Sequence, residues 1–105
     1  MKWPAIVRFD NSDELDAIED EISWQAYANC LDGSCQLISS DGTVYSVVTD
    51  SSSYTLKDSN TKISAETAVK LARRHMAAQA HCCVAKFNAS SVEAAIAAIL
   101  LLEQD

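Results

Sequence analysis

The chain has 105 residues, of which 49% are hydrophobic and 22% charged. That is the balance of one folded domain, residues 1–105, with its own core, and not of a disordered segment. The formal net charge of −7 argues against nucleic acid and anionic membrane lipid as partners, because both affinities rest on Lys and Arg meeting phosphate.

The predicted elements follow in order. Trp3, Ala5, Val7 and Phe9 alternate with Pro4, Ile6 and Arg8, which predicts a strand with a strongly apolar face. Pro4 is tolerated at an edge or a strand's beginning. Asp10-Asn11-Ser12-Asp13 is turn chemistry, and residues 14–18 are expected to return as a second strand, with acids at the tip and rim of the hairpin. Ser23 is expected to cap a short helix over 24–31, with Trp24, Tyr27, Ala28 and Leu31 on one face and Gly33 ending it. Residues 35–39 and 43–49 read as a hairpin across Asp41-Gly42, where a type I′ turn needs positive φ at both central residues. After a turn at residues 50–53, residues 54–57 form the third strand of a meander.

Ser64 is expected to cap a helix over 65–80, with Glu66 in its first turn. Ala65, Ala68, Ala72, Met76 and Gln79 share one arc, with Leu71 and Val69 at its margins; Lys70, Arg73, Arg74 and His81 gather opposite. Residues 82–87 suit either a continued helix or a strand, and the strand is preferred. Ser90 and Glu93 make an S-x-x-E capping box. The helix that follows, 91–103, is apolar nearly all round, so it is expected to be buried on several sides or to pair with a second copy as a homodimer.

Charge is concentrated in one place. Asp10, Asp13, Glu14, Asp16, Glu19, Asp20 and Glu21 fall within residues 10–21 without a single base, and the rest of the chain carries eight acids against eight bases. A local field of one sign points to a cation or a basic partner. Asp10, Ser12, Glu14, Asp16 and Glu21 imitate the ligand spacing of a calcium loop, but Leu15 stands where that loop needs glycine. A solvated acidic hairpin is the plainer reading. Lys70, Arg73 and Arg74 could pair with this window, although a solvated helix face is the simpler expectation.

The four cysteines are Cys30, Cys35, Cys82 and Cys83. No export signal is visible, so a cytoplasmic bacterial protein with free thiols is expected. The spacing with His81 lacks the paired C-x-x-C knuckles of zinc sites. No metal or cofactor is therefore expected. His75 lies on the apolar arc and reads as a packed, hydrogen-bonded core histidine. Two glycines rule out a glycine-rich phosphate cradle, and no G-x-S-x-G or H-E-x-x-H motif occurs. Asn88-Ala89-Ser90 is a chance sequon match. The longest apolar run, Ala94 to Leu102, has nine residues, about half of what a bilayer needs.

Trp3-Pro4-Ala5-Ile6, Asp13-Glu14-Leu15 and Trp24 resemble the small bacterial proteins grouped as domain of unknown function 4144. The resemblance covers roughly the first half, includes the Asp41-Gly42 hairpin and fades after residue 60. It implies a small, stand-alone bacterial α+β domain and carries no activity or site residues.

The expected fold is α+β: an antiparallel sheet, made of an N-terminal hairpin plus a meander, with about three helices packed mainly on one face. The expected core includes Trp3, Ala5, Val7, Phe9, Trp24, Leu37, Val44, Leu71, Met76, Ile96, Ile99 and Leu100. The leading functional expectation is a non-enzymatic binding or accessory protein that offers its acidic hairpin to a basic protein partner. The alternatives are a small-molecule or metal-assisted enzyme using His75, His81 or the cysteines, with no nameable catalytic set, and a calcium-responsive module.

Overall fold

A computed structural model describes residues 2–9, 12, 14–29, 35–50, 53–79 and 87–103. The chain runs β1 (Ala5–Arg8), β2 (Leu15–Ile18), α1 (Glu21–Ala28), β3 (Cys35–Ile38), β4 (Thr43–Asp50), β5 (Ser53–Lys62), α2 (Ala65–Ala78) and α3 (Val92–Glu103). Among the described residues the strands form one antiparallel sheet in the order β2-β1-β3-β4-β5. This is the expected α+β fold, an N-terminal hairpin joined through β1 and β3 to a meander.

Side chains alternate along each strand, so β1 to β4 feed two cores. Ile6, Leu15, Ile38 and Val44 face α2 and α3, meeting Ala68, Leu71, Ala72, Met76, Ala95, Ile96 and Ile99. Ala5, Val7, Ile18, Leu37 and Val47 face the other way and meet Trp24 and Ala28 of α1. Two helices thus cover one face and the third covers the other. Trp3 and Phe9 are half-buried against the α1 core. Leu100, expected inside, is also only half-buried, because α3 turns Ala95, Ile96 and Ile99 inward instead. Ile6, which the alternation set opposite the apolar face of its strand, is buried with Ile38 because a second helical layer lies there.

Several local expectations shift by a few residues. The first helix starts at Glu21, and its cap is Asp20, whose carboxylate accepts the Ser23 N–H at 2.8 Å. Ser23 therefore donates to the cap and does not supply it. Ser64 caps α2 as expected, accepting the Thr67 N–H at 3.2 Å. The cap of α3 is Ser91, which accepts the Ala94 N–H at 3.1 Å, so the Ser90–Glu93 box is out of register by one residue. β5 runs on to Lys62 because a bulge absorbs its polar middle. Val44 pairs with Thr61 and Tyr45 with Asp58, leaving Ser59 and Asn60 as the extra residues, with Asn60 at φ 58°. The assignment of residues 82–87, and the expected helix end at Leu31 and Gly33, lie outside the described residues except for Phe87.

The β3–β4 turn differs in type from the expected one. Gly42 is left-handed at φ 89°, and Asp41 does not share that region. The Gly42 N–H donates to Ser39 O at 2.9 Å, and the Ser39 N–H donates to Thr43 O at 3.0 Å. A four-residue turn, Ser39 to Gly42, whose last residue is a left-handed glycine matches the type I turn with a glycine bulge. Asp41 contributes through its side chain, which accepts the Thr43 N–H at 2.9 Å. A Cβ on Gly42 would lie 2.6 Å from the Ile63 carbonyl oxygen, and Ile63 itself donates its N–H to Gly42 O at 2.9 Å.

Gly42→Ala is therefore expected to destabilise the protein by about 1–3 kcal/mol, through backbone strain and the clash together. Urea unfolding at equilibrium would show it as a lowered midpoint with an unchanged slope.

Candidate functional site

The acidic window spans the hairpin rim, β2 and the start of α1, a longer reach than the hairpin tip alone. Glu14, Asp16, Glu19, Asp20 and Glu21 are all exposed; Asp10 and Asp13 lie outside the described residues. Asp16 is on the α1 face of β2 and accepts the Tyr27 hydroxyl at 2.6 Å. Tyr27 in turn stacks on Trp24, with ring centroids 6.1 Å apart. The helix that caps itself on Asp20 thus also fixes one carboxylate of the strand before it. The backbone N–H of Glu14 donates to Ser12 Oγ at 3.2 Å, a local turn bond.

Among the described residues none of these carboxylates pairs with a base. The ion pair found there is Lys70–Glu66 at 3.6 Å, one turn apart on α2. Arg73 makes a different contact: its Nε and Nη2 donate to the Phe87 carbonyl at 2.9 and 2.7 Å. That ties α2 to the segment before α3, and Arg73 is one structural feature that sequence reading missed. Another is Ile22, 80% exposed in the first turn of α1. It is flanked by Glu21 and preceded by Glu19 and Asp20, so an apolar side chain sits within the acidic rim. A wheel of α1 drawn from its true start would have put Ile22 opposite Trp24 and Ala28.

The remaining candidates are dispersed. Cys35 is buried in the α1 core. His75 is buried on α2, in the layer on the opposite face, and its Nδ1 accepts the Leu15 N–H at 2.9 Å. The sheet separates these two groups, so they do not share a site. Cys30, Cys82, Cys83 and His81 lie outside the described residues. Among the described residues no three His, Cys, Asp or Glu side chains converge as a metal site would need. An open cleft of about 290 Å³ lies at the β5 bulge, lined by Thr43, Asp58, Asn60, Thr61 and Lys62. No acid of the window borders it. No helix among the described residues is long and apolar enough to cross a membrane.

Two carboxyls are held below their ordinary value of 3.8. For Asp20 the leading cause is the backbone N–H of Ser23, followed by the Ser23 hydroxyl. For Asp41 it is the backbone N–H of Thr43, followed by the Thr43 hydroxyl, with the Lys62 charge a minor contribution. Hydrogen bonds to the ionised form favour it. A carboxyl lowered in the folded state binds its proton more readily when unfolded, so stability is present above the ordinary carboxylate range and is lost as pH falls through it. Asn keeps the same accepting oxygen without titrating. The D20N/D41N double variant is therefore expected to lose less thermal stability than the parent between about pH 6 and about pH 3. Equal losses in paired melts would contradict the assignment.

A family model described as a protein structure with unknown function matches residues 3–99. The match extends well beyond the first half of the chain, through α2 and into α3. Among solved structures, the NMR structure of a protein from Shewanella amazonensis is similar, with a TM-score of 0.67 and 23% identity over 97% of this chain and 90% of that one. At that identity the likeness speaks for the fold alone. No curated protein matches the chain. A family match over nearly the whole length, with the sheet and helices above, means that the chain belongs to the family of domain of unknown function 4144.

Proposed function

We propose that this protein is a non-enzymatic binding or accessory protein of the bacterial cytoplasm, and that it offers its acidic rim to a basic surface on a partner protein. The observation behind this reading is the run of exposed carboxylates along β2 and the first turn of α1, with no base paired to them among the described residues and with Ile22 exposed in their midst. A charged rim steers a partner of opposite sign and sets its orientation, while an exposed apolar side chain supplies the contact that charge alone lacks.

The C-terminal helix adds a smaller element. Val92, Ala95, Ile96 and Ile99 are buried in the core shared by the sheet and α2, and Leu101 is left 65% exposed. A homodimer through residues 91–103 would use Leu101 as its anchor.

Binding of a fluorescent oligolysine peptide tests the acidic rim. The variant E14Q/D16N/E19Q/E21Q leaves the Asp20 cap in place. It is expected to weaken binding about tenfold or more, whereas D58N/E66Q/E93Q, which neutralises acids elsewhere, changes it far less. Parent binding should also weaken steeply between low and high salt. Equal effects of the two variants, or binding indifferent to salt, would remove the reading.

A further inference from the structure

His75 is 4% exposed, yet it is titratable, and its bond reaches across the chain to the first residue of the acidic strand. An imidazole nitrogen accepts a hydrogen bond only through its lone pair. The Leu15 N–H therefore requires a ring that is neutral at Nδ1, with its proton on Nε2. A proton arriving at Nδ1 takes the same lone pair, and the N–H···N bond must break. The ring then holds two N–H donors where the site presents another donor.

Among the described residues, charged groups lie around this bond on several elements. Arg8 is the direct cross-strand partner of Leu15 and lies on the same face of the sheet, adding a positive charge on that side. Asp16 follows Leu15 on β2, and alternation turns it to the opposite face, where it meets Tyr27, while Glu14 is exposed just before the strand. On α2, Arg74 is exposed and Arg73 is occupied by the Phe87 carbonyl. On α3, Glu93 is exposed in the first turn.

We propose that His75 is an acid-sensitive clasp: as a neutral ring it holds the start of β2 against α2, and on taking up a proton from solvent it releases that end of the strand. The open state takes up the proton on a ring that no longer has to accept a bond. The clasp is therefore firmest above the ordinary imidazole range, about pH 6.5, and weakens progressively as pH falls below it. The device acts on the position of the acidic strand. It stands whether or not the rim binds a basic partner.

Amide hydrogen exchange followed by NMR on the full chain tests this. Protection factors corrected for the intrinsic pH dependence of exchange are compared at about pH 7.5 and about pH 5. The Leu15 amide is expected to lose protection about tenfold or more on acidification, while the Val7 and Leu37 amides in the sheet interior hold theirs. His75→Gln, which accepts without titrating, is expected to flatten the response. The imidazole nitrogen shifts of the parent protein give an independent readout should that variant fail to fold: Nε2 protonated and Nδ1 bare at neutral pH. Protection of Leu15 that is constant with pH, or that falls in step with Val7 and Leu37 as in global unfolding, overturns the clasp. So does a neutral ring protonated at Nδ1.

Discussion

The structure depends on a strand that is buried on both of its faces. β1 lies between β2 and β3, and Ala5, Ile6 and Val7 are at most 1% exposed. Ile6 faces α2 and α3, while Ala5 and Val7 face α1. A strand in that position leaves no room for a polar side chain at three successive places, and each neighbouring layer needs it as its floor. Removing either helical layer would expose one half of the same short run to water, at roughly 25 cal/mol for each Å² of apolar surface. The two cores are thus coupled through β1.

Distant polar contacts hold the surrounding pieces to this strand. The Lys2 N–H donates to Ser39 Oγ at 3.0 Å, and the Ser39 hydroxyl donates back to Lys2 O at 3.1 Å. The Ser40 hydroxyl donates to the Pro4 carbonyl. The β3–β4 turn thereby secures the segment that leads into β1. Arg73 secures the approach to α3 in the same way, and His75 secures the start of β2. Each of these contacts gives a backbone group a hydrogen-bond partner from a distant part of the chain.

The two ends of the described sheet are handled differently. β5 is exposed from Thr55 to Lys62; Lys57, Asp58, Lys62 and a bulge keep it from offering a flat, apolar edge to another chain. β2 carries the acidic rim and is bound by α1 through Tyr27 and by α2 through His75. The feature most readily tied to recognition is thus mounted on a strand held by both helical layers, and its geometry answers to both.

The features legible in the sequence were the local ones. Alternation around Ala5 and Val7 marked β1, the chemistry of residues 10–13 marked a return into β2, Ser64 marked the start of α2, and the arc of Ala68, Ala72 and Met76 marked its buried face. Asp41-Gly42 marked a hairpin, though not its turn type, because the turn is decided by the approach of Ile63 to Gly42. The acids of residues 14–21 were legible as a cluster for the same reason: charge is a property of residues and not of their arrangement. The tertiary structure alone decided that β1 is central, that Ile6 and Ile38 meet a second helical layer, that Asp20 and not Ser23 caps α1, and that His75 lies against Leu15. Apart from the Asp20 cap, which is local, those outcomes depend on contacts between segments far apart in the chain. A helix pattern shows which face is apolar, but the face of the sheet it covers is set by connections and by the volumes it must fill.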